Sequence, residues 1–166
     1  MKRNITVILI ILLFAGCKQK STTQAQPETS SAITIEKVKL TWLDGQPVDF
    51  KNYKGKTVFI NFWATWCKPC IEEMPSIRNA MNALKDKKID FLFASDESKE
   101  EIETFSAKNN LAFNFLKAEN QEELEITGLP TTFIFDANGK LVFSEMGARR
   151  WDSQDSFALL TKIIEQ

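Results

Sequence analysis

The chain has 166 residues, of which 43% are hydrophobic, and its formal net charge is −1. This length and composition suit one folded domain with its own core and short appendages. The sequence contains no His, which excludes c-type haem attachment, the usual His-containing zinc sites and His-based acid–base catalysis. The mildly acidic charge balance and the lack of a basic patch with interleaved aromatic residues argue against a nucleic-acid partner.

Residues 1–16 have the pattern of an export signal peptide. Two basic residues precede an almost wholly apolar run over 5–15, which is too short for a membrane span of roughly 20 residues. The run ends in Leu13-Phe14-Ala15-Gly16-Cys17, which resembles the lipobox of bacterial lipoproteins except at Phe14. That resemblance implies cleavage before Cys17 and lipidation of its thiol. The alternative is an ordinary buried thiol near an uncleaved signal anchor.

Residues 17–33 are then the lipidated Cys17 followed by a polar tether. As a random coil this tether should average about 20–25 Å end to end. With Cys17 lipidated, only Cys67 and Cys70 remain as thiols, and two thiols cannot complete a four-ligand zinc site. We therefore expect no metal, and a folded domain over 34–166 that lies in the cell envelope, outside the cytoplasm and anchored to a bacterial membrane.

The first part of this domain is predicted to form strands before it forms a long helix. Apolar and polar residues alternate across 38–50 around a turn at Asp44-Gly45, which predicts an N-terminal β-hairpin. An apolar run at 57–62 predicts a buried strand. Apolar residues at helical spacing predict a helix over 67–84, which Pro75 should kink.

Four further strands and three further helices are predicted after residue 88. Ser98-Lys99-Glu100-Glu101 is a capping box and marks one helix start. The predicted fold is α/β, a mixed central sheet with helices on both faces. In chain order, the elements are a strand at 89–94, a helix from Ser98 to Lys108, a strand at 113–116, a helix at 120–126, strands at 131–135 and 141–144, and a last helix from Asp152 with Phe157, Leu160 and Ile164 facing inward.

The segment that says most about chemistry is Trp66-Cys67-Lys68-Pro69-Cys70. A lone C-x-x-C is a weak signal, because it is also half of a zinc site. Here it lies between a strand and a helix, so Cys67 should occupy a helix N-terminus, where thiol pKa values fall to roughly 3.5–7.5. An exposed Cys67 thiolate would attack a partner's disulfide, and Cys70 beneath it would resolve the mixed disulfide. The alternative is a pair of reduced structural cysteines.

These motifs resemble the thioredoxin fold and, within it, the TlpA/ResA-like group of membrane-tethered thiol–disulfide proteins. The resemblance implies that the segment 113–126 is the central strand-helix insert of that group. Asn61 stands where cytoplasmic thioredoxins have a buried Asp, and Glu73 matches an acidic residue typical of the ResA-like group. The matching stretches are Asp44-Gly45-Gln46-Pro47-Val48, Gly55-Lys56, the run from Asn61 to Cys70, Glu73-Met74-Pro75, the run from Gly128 to Phe133, Asp136 and Gly139-Lys140.

Glu73 is the candidate proton acceptor for the dithiol. It lies three residues beyond Cys70, so their Cβ atoms should be about 5–6 Å apart on one helix face. A partly buried carboxyl at that distance is expected to take the proton that Cys70 must lose. The alternative is a solvated surface acid like its neighbour Glu72.

The resemblance also implies roles for residues around the dithiol. Pro130 is expected to be a cis-proline beside the sulfurs, with the backbone polar groups of Leu129 offered to an extended substrate; the alternative is an ordinary trans proline. Lys68 and Pro69 are expected to tune the redox potential. Trp66 should border the substrate surface. By contrast, we expect Trp42 and Trp63 in the core, and Arg149-Arg150 as a solvated charge pair.

The functional expectation is a monomeric thiol–disulfide oxidoreductase that uses no cofactor besides the Cys67–Cys70 pair. Resemblance suggests that it reduces disulfides of exported proteins, with apocytochromes c before haem attachment as one substrate, and that a membrane electron donor recharges it. One rival is a thiol-dependent peroxidase, although such enzymes place Thr three residues before the reactive Cys and Thr65 is two before Cys67. The other rival is a non-catalytic binding lipoprotein whose thiols are idle.

Overall fold

The computed structural model describes residues 33–166, so the predicted signal peptide, Cys17 and nearly all of the tether lie outside the described residues. Within the described residues, no helix is both long and apolar enough to cross a membrane. The elements are β1 (Leu40–Trp42), β2 (Thr57–Phe62), α1 (Lys68–Ala83), β3 (Ile89–Ser95), α2 (Lys99–Asn109), β4 (Phe115–Ala118), β5 (Thr131–Phe135), β6 (Leu141–Met146) and α3 (Gln154–Ile164), with short 3-10 helices at Ile35–Lys37 and Phe50–Tyr53.

The strands form one mixed six-stranded sheet in the order β1-β4-β3-β2-β5-β6. The fully buried strand β2 lies inside the sheet, parallel to β3 and antiparallel to β5. Phe62 is opposite Thr131, and Thr131 is opposite Met146. The end of β2, the start of β5 and the end of β6 therefore lie side by side at the same end of the sheet. This register brings the C-x-x-C segment and the Gly128–Pro130 segment together.

The α/β fold with a mixed central sheet is confirmed, although all three α-helices lie on one face and only 3-10 helices lie on the other. The buried apolar residues of α1, α2 and α3 all belong to one cluster, against one face of the sheet. The other face is covered by the two 3-10 helices and by loops, among them Leu124 and Ile126. The connections β2–α1–β3 and β3–α2–β4 step in the same direction along the sheet. Because such crossovers are right-handed, both helices lie on the same face.

The predicted helix at 120–126 is instead a series of turns. Glu125 adopts a left-handed backbone conformation with φ of 57°, which ends any helical progression. The Ile126 amide donates to Gln121 and the Leu124 amide to Asn120, so the segment is closed by local hydrogen bonds. The central insert therefore contributes a strand, β4, but no α-helix after it.

The N-terminal hairpin forms only in part. The chain turns back after Asp44-Gly45, and the Val48 amide donates to Leu40 at 2.9 Å. Beyond one bridge between Thr41 and Pro47, however, the returning arm is not a strand. Pro47 lacks the N–H that a longer ladder would need. Strand β1 pairs instead with β4 in antiparallel register.

The helix predictions hold elsewhere, with small shifts of boundary. The capping box at Ser98 and Glu101 is present in both directions. In α3, Leu160 and Ile163 are buried, whereas the predicted Phe157 and Ile164 are only partly buried against the same core. Trp63 is fully buried as expected, and Trp42 is half-buried. The kink at Pro75 stays a prediction.

Gly139 offers a direct test of how the start of the domain is held. Its φ is +79°, and a Cβ there would lie 2.6 Å from Cγ2 of Ile35. Gly139→Ala should therefore lower the free energy of unfolding by about 2–3 kcal/mol, from backbone strain plus overpacking. Gly45→Ala is the matched control, because its φ is +89° with nothing within 4 Å. It should cost only about 1 kcal/mol of strain in urea unfolding. Equal losses would contradict the contact with Ile35.

Candidate functional site

The dithiol lies at the start of α1, directly after β2. Cys67 is the N-cap of the helix, and its Sγ accepts a hydrogen bond from the Cys70 amide at 3.3 Å. Pro69 lies in the first turn of the helix, where its missing N–H leaves no donor unpaired. Cys67 and Cys70 are joined by a disulfide, with their Cα atoms 5.3 Å apart. The structure is therefore that of the oxidised protein.

The expectation of an exposed first sulfur is corrected by the structure. Cys67 retains only 4% exposure and Cys70 none. Both belong to the apolar cluster between the sheet and the helices. Their order is nevertheless the expected one, with Cys67 the more accessible. Trp66 is 73% exposed, and Lys68 and Pro69 are also exposed, so the residues flanking the disulfide form surface.

The segment before β5 and the dithiol loop lie at the same end of the sheet. The Leu129–Pro130 bond is cis, as expected. The Pro130 carbonyl accepts from the Gly147 amide at 2.7 Å, and the Thr131 hydroxyl donates to the Gly128 carbonyl at 2.7 Å. Pro130 is buried and Leu129 half-buried. These bonds close the turn of the segment and tie it to the residue that follows β6.

Glu73 is buried, with 5% exposure, on the helix turn that follows Cys70. Its carboxylate accepts three hydrogen bonds, from Asn61 Nδ2 at 2.8 Å, the Arg149 amide at 2.9 Å and Trp151 Nε1 at 3.3 Å. The pKa of Glu73 is raised above its ordinary value, chiefly because burial disfavours the charged form. The charge of Glu145 also raises this pKa, whereas the three hydrogen-bond donors lower it. A buried carboxyl whose pKa is raised in this way accepts and releases a proton more readily than a solvated acid with an ordinary pKa.

Arg149 departs from the predicted solvated pair. Its guanidinium bonds Glu145 at 2.7 Å and Ser156 at 2.9 Å, and lies over the rings of Phe143 and Trp151. These contacts fix the loop whose amide and indole donors reach Glu73. Only Arg150 behaves as predicted, with a side chain that is 82% exposed. The partners of Glu73 on this loop are 76 and 78 residues away in the chain, and no spacing in the sequence marks them.

Glu97 is a second residue that the sequence did not single out. It accepts hydrogen bonds from the Thr65 amide at 2.7 Å and the Thr65 hydroxyl at 2.6 Å. It thereby ties the loop before Cys67 to the end of β3. Within residues 33–166, no group of three or more His, Cys, Asp or Glu side chains is placed to hold a metal ion.

Comparison with known proteins places this geometry in a family. Residues 33–144 match the model of the AhpC/TSA family. The thiol–disulfide oxidoreductase ResA of Geobacillus thermodenitrificans is 34% identical over 142 residues, which cover 82% of each chain. ResA of Bacillus thuringiensis subsp. konkukian is 31% identical over 152 residues, covering 86% of this chain and 88% of the relative.

A solved structure shares the fold. The thiol:disulfide interchange protein from Bacteroides sp. superposes with a TM-score of 0.67 at 24% identity, over 82% of this chain and 91% of that one. Together, the bonded cysteine pair at a helix N-terminus, the cis-proline beside it and the ResA relatives agree on one chemistry. The chain belongs to the AhpC/TSA family with a thioredoxin-like fold, and is a thiol–disulfide oxidoreductase of the ResA type.

Proposed function

We propose that this protein is a lipid-anchored reductant of disulfides in exported proteins, located in the cell envelope. The observation that carries the proposal is the oxidised Cys67–Cys70 pair at the start of α1, followed one turn later by the buried carboxyl of Glu73. Export and anchoring rest on the signal peptide pattern over 1–16 and the lipobox-like Cys17. The dithiol is the redox group, and no further cofactor is needed.

The reaction begins with the reduced protein. The Cys67 thiolate, favoured by the N–H groups of the first turn of α1, attacks a partner's disulfide and forms a mixed disulfide, and one partner thiolate leaves. Cys70 loses its proton to Glu73 and attacks the sulfur of Cys67. The second partner thiolate then leaves, and the Cys67–Cys70 disulfide forms. Two electrons have passed to the partner, and a membrane dithiol donor returns the enzyme to its reduced form.

The substrate class follows from the surface beside the disulfide. Trp66, next to Cys67 in the chain, is exposed, and Leu129, which precedes the cis-proline, is half-buried. We propose that an extended segment with an oxidised cysteine pair lies across them and pairs with the backbone of Leu129. Apocytochromes c before haem attachment contain such a segment. Lys68 and Pro69, exposed between the two cysteines, are proposed to set the redox potential.

A thiol-dependent peroxidase is ranked second. The AhpC/TSA match allows it, but the Thr65 hydroxyl donates to Glu97 and is not free to bind a peroxide beside Cys67. Peroxide-dependent turnover by the pure protein would reverse this ranking.

A non-catalytic binding lipoprotein would be favoured if Cys67→Ser changed no phenotype of the producing cell.

The Cys70→Ser variant tests the proposal most directly. In that variant the first attack still occurs, but the mixed disulfide on Cys67 cannot be resolved. Partners should therefore accumulate as covalent complexes that reductant releases, and their identities give the substrate. The double variant Cys67→Ser/Cys70→Ser is the control and should trap nothing. Trapping of only cytoplasmic proteins, or none, would contradict an envelope reductant.

A further inference from the structure

The described chain enters the fold at the end of the sheet that lies away from the dithiol. The Ile35 amide donates to the Gly139 carbonyl at 2.9 Å, and Thr34 forms a bridge with Lys140. The turn before β2 and the α1–β3 loop meet here too, because Gly55 bonds Ala137 at 3.0 Å and Thr57 bonds Lys88 at 2.9 Å. We call this the basal end, comprising residues 34–36, 49–57, 84–90 and 136–140.

The dithiol lies at the other end of β2. This strand begins at Thr57 in the basal end and stops at Phe62, five residues before Cys67. Six residues of strand separate the two ends by about 20 Å. We call the second end the dithiol end, comprising residues 63–73, 95–103, 119–130 and 145–155. Its segments are joined by bonds such as Thr65 to Glu97, Arg149 to Glu73 and Gly147 to Pro130.

Charge is divided unequally between these two ends. The basal end carries seven lysines and five acidic residues, for a net charge of +2. The segments of the dithiol end carry four basic and fourteen acidic residues, and with Lys39 and Lys117, whose side chains bond Glu123 and the Asp96 and Glu97 carbonyls, its net charge is −8. The whole chain, at −1, conceals this division. The basal lysines are Lys51, Lys54, Lys56, Lys85, Lys87, Lys88 and Lys140, all of them exposed.

The outer surface of the basal end is more basic than its net charge suggests. Asp49 and Asp136 turn back to accept backbone N–H groups of their own loops. Lys56 pairs with Asp90 at 2.9 Å, and among the described residues the other six basal lysines form no ion pair. Lys51, Lys54 and Lys56 also line a cavity of about 560 Å³ with an apolar floor that includes Val38 and Phe50. Long ammonium side chains therefore form the outermost layer.

We infer that the basal end docks on the anionic phospholipid headgroups of the membrane and holds the acidic dithiol end away from it. A membrane surface, rather than a protein, is the expected occupant because the polar tether joins the domain at this same end. If Cys17 is anchored as proposed, that tether averages about 20–25 Å and keeps the basal lysines near the surface. Lysines close to an anionic bilayer are attracted to it within a Debye length. The dithiol would then face partner segments, including those of its membrane donor, that stand clear of the bilayer surface.

The test uses the full chain, purified from membranes and reconstituted in vesicles. One set is neutral phosphatidylcholine, and the other contains about 30% phosphatidylglycerol, an anionic fraction that gives the bilayer a negative surface potential. A pulse of amine acetylation followed by peptide mass spectrometry reads each lysine. Basal lysines should be labelled at least about threefold more slowly on anionic vesicles only, and 0.5 M salt, at roughly a 4 Å Debye length, should abolish the difference. Lys68 and Lys99 at the dithiol end should be unchanged.

Two variants with the same change in charge provide the control. Lys51→Glu/Lys54→Glu should remove the protection of Lys87 and Lys88, whereas Lys39→Glu/Lys99→Glu should leave it intact. Disulfide reduction in solution should be unchanged in Lys51→Glu/Lys54→Glu, which shows that this variant folds. Equal labelling of both ends on anionic vesicles, or identical behaviour of the two variants, would overturn the inference.

Failure of the anchor is distinguishable from failure of docking. Flotation with neutral vesicles reports the anchor alone, because those vesicles offer the lysines no attraction. If the protein does not float with neutral vesicles, the proposed anchoring fails, and flotation with anionic vesicles then tests docking by itself. In that case, binding that Lys51→Glu/Lys54→Glu abolishes supports the inference, and absence of binding overturns it.

Discussion

Replacement of Cys67 by Ser is expected to slow disulfide reduction by about 10³-fold or more, because loss of a nucleophile removes the covalent step. Cys67 is the N-cap of α1, retains some exposure, and receives the Cys70 amide on its sulfur. The reduced protein is mixed with a small disulfide that releases a coloured thiol, and the rate of that release is measured.

Cys70→Ser is the matched comparison for this prediction. Cys70 has no exposed surface, so its loss should spare the first attack and stop the reaction after one thiol is released. The released thiol should therefore equal one per protein instead of two. If Cys67→Ser formed the mixed disulfide and Cys70→Ser did not, the roles assigned to the two sulfurs would be reversed.

Glu73→Gln is expected to slow resolution of the mixed disulfide by about 10²-fold or more at neutral pH, the usual contribution of a positioned proton acceptor. The groups that face this carboxyl are Asn61 on β2, Glu145 on β6, and Arg149 and Trp151 on the loop after β6. When the rate of resolution is plotted against pH, the change in rate that the titration of Glu73 causes should disappear. An unchanged profile for both cysteines would reject a role for Glu73 as proton acceptor.

The same variant should change how stability depends on pH. Burial raises the pKa of Glu73 in the folded protein, so the folded state holds this proton more tightly than the unfolded state does. The free energy of unfolding should therefore fall as pH rises from the ordinary carboxyl range through the raised pKa. Glu73→Gln should flatten that decline in urea unfolding of the oxidised protein.

Glu72→Gln is the control for both readouts. Glu72 is the preceding residue, is 64% exposed and pairs only with Lys68 at 3.6 Å. Its removal should change neither the resolution profile nor the decline of stability with pH, because solvent already screens its charge. Matching effects in the two variants would mean that a general loss of negative charge, and not the buried carboxyl, is responsible.

Much of the fold was predictable, because it depends on patterns that are local in the chain. The apolar run at 57–62, the capping box at Ser98 and the helical spacing after Cys67 each specify their element without reference to distant residues. The failures came where local pattern and tertiary context disagree. Residues 120–126 have helix-forming composition, yet the backbone of Glu125 turns left-handed within the loops that cover the second face.

The functional site likewise has features that are local in the chain and features that arise only from tertiary packing. Cys67, Cys70 and Glu73 lie on one helix, so their order and spacing are properties of the sequence itself, as is the change of Asp to Asn at position 61. The partners that tune Glu73 lie on β2 and on the loop after β6, and only the paired register of β2, β5 and β6 brings them together. Sequence alone therefore determined which chemistry this protein performs. The tertiary structure decided how deeply the cysteines and Glu73 are buried and how charge is distributed between its two ends, because burial and surface potential arise only when distant segments pack together.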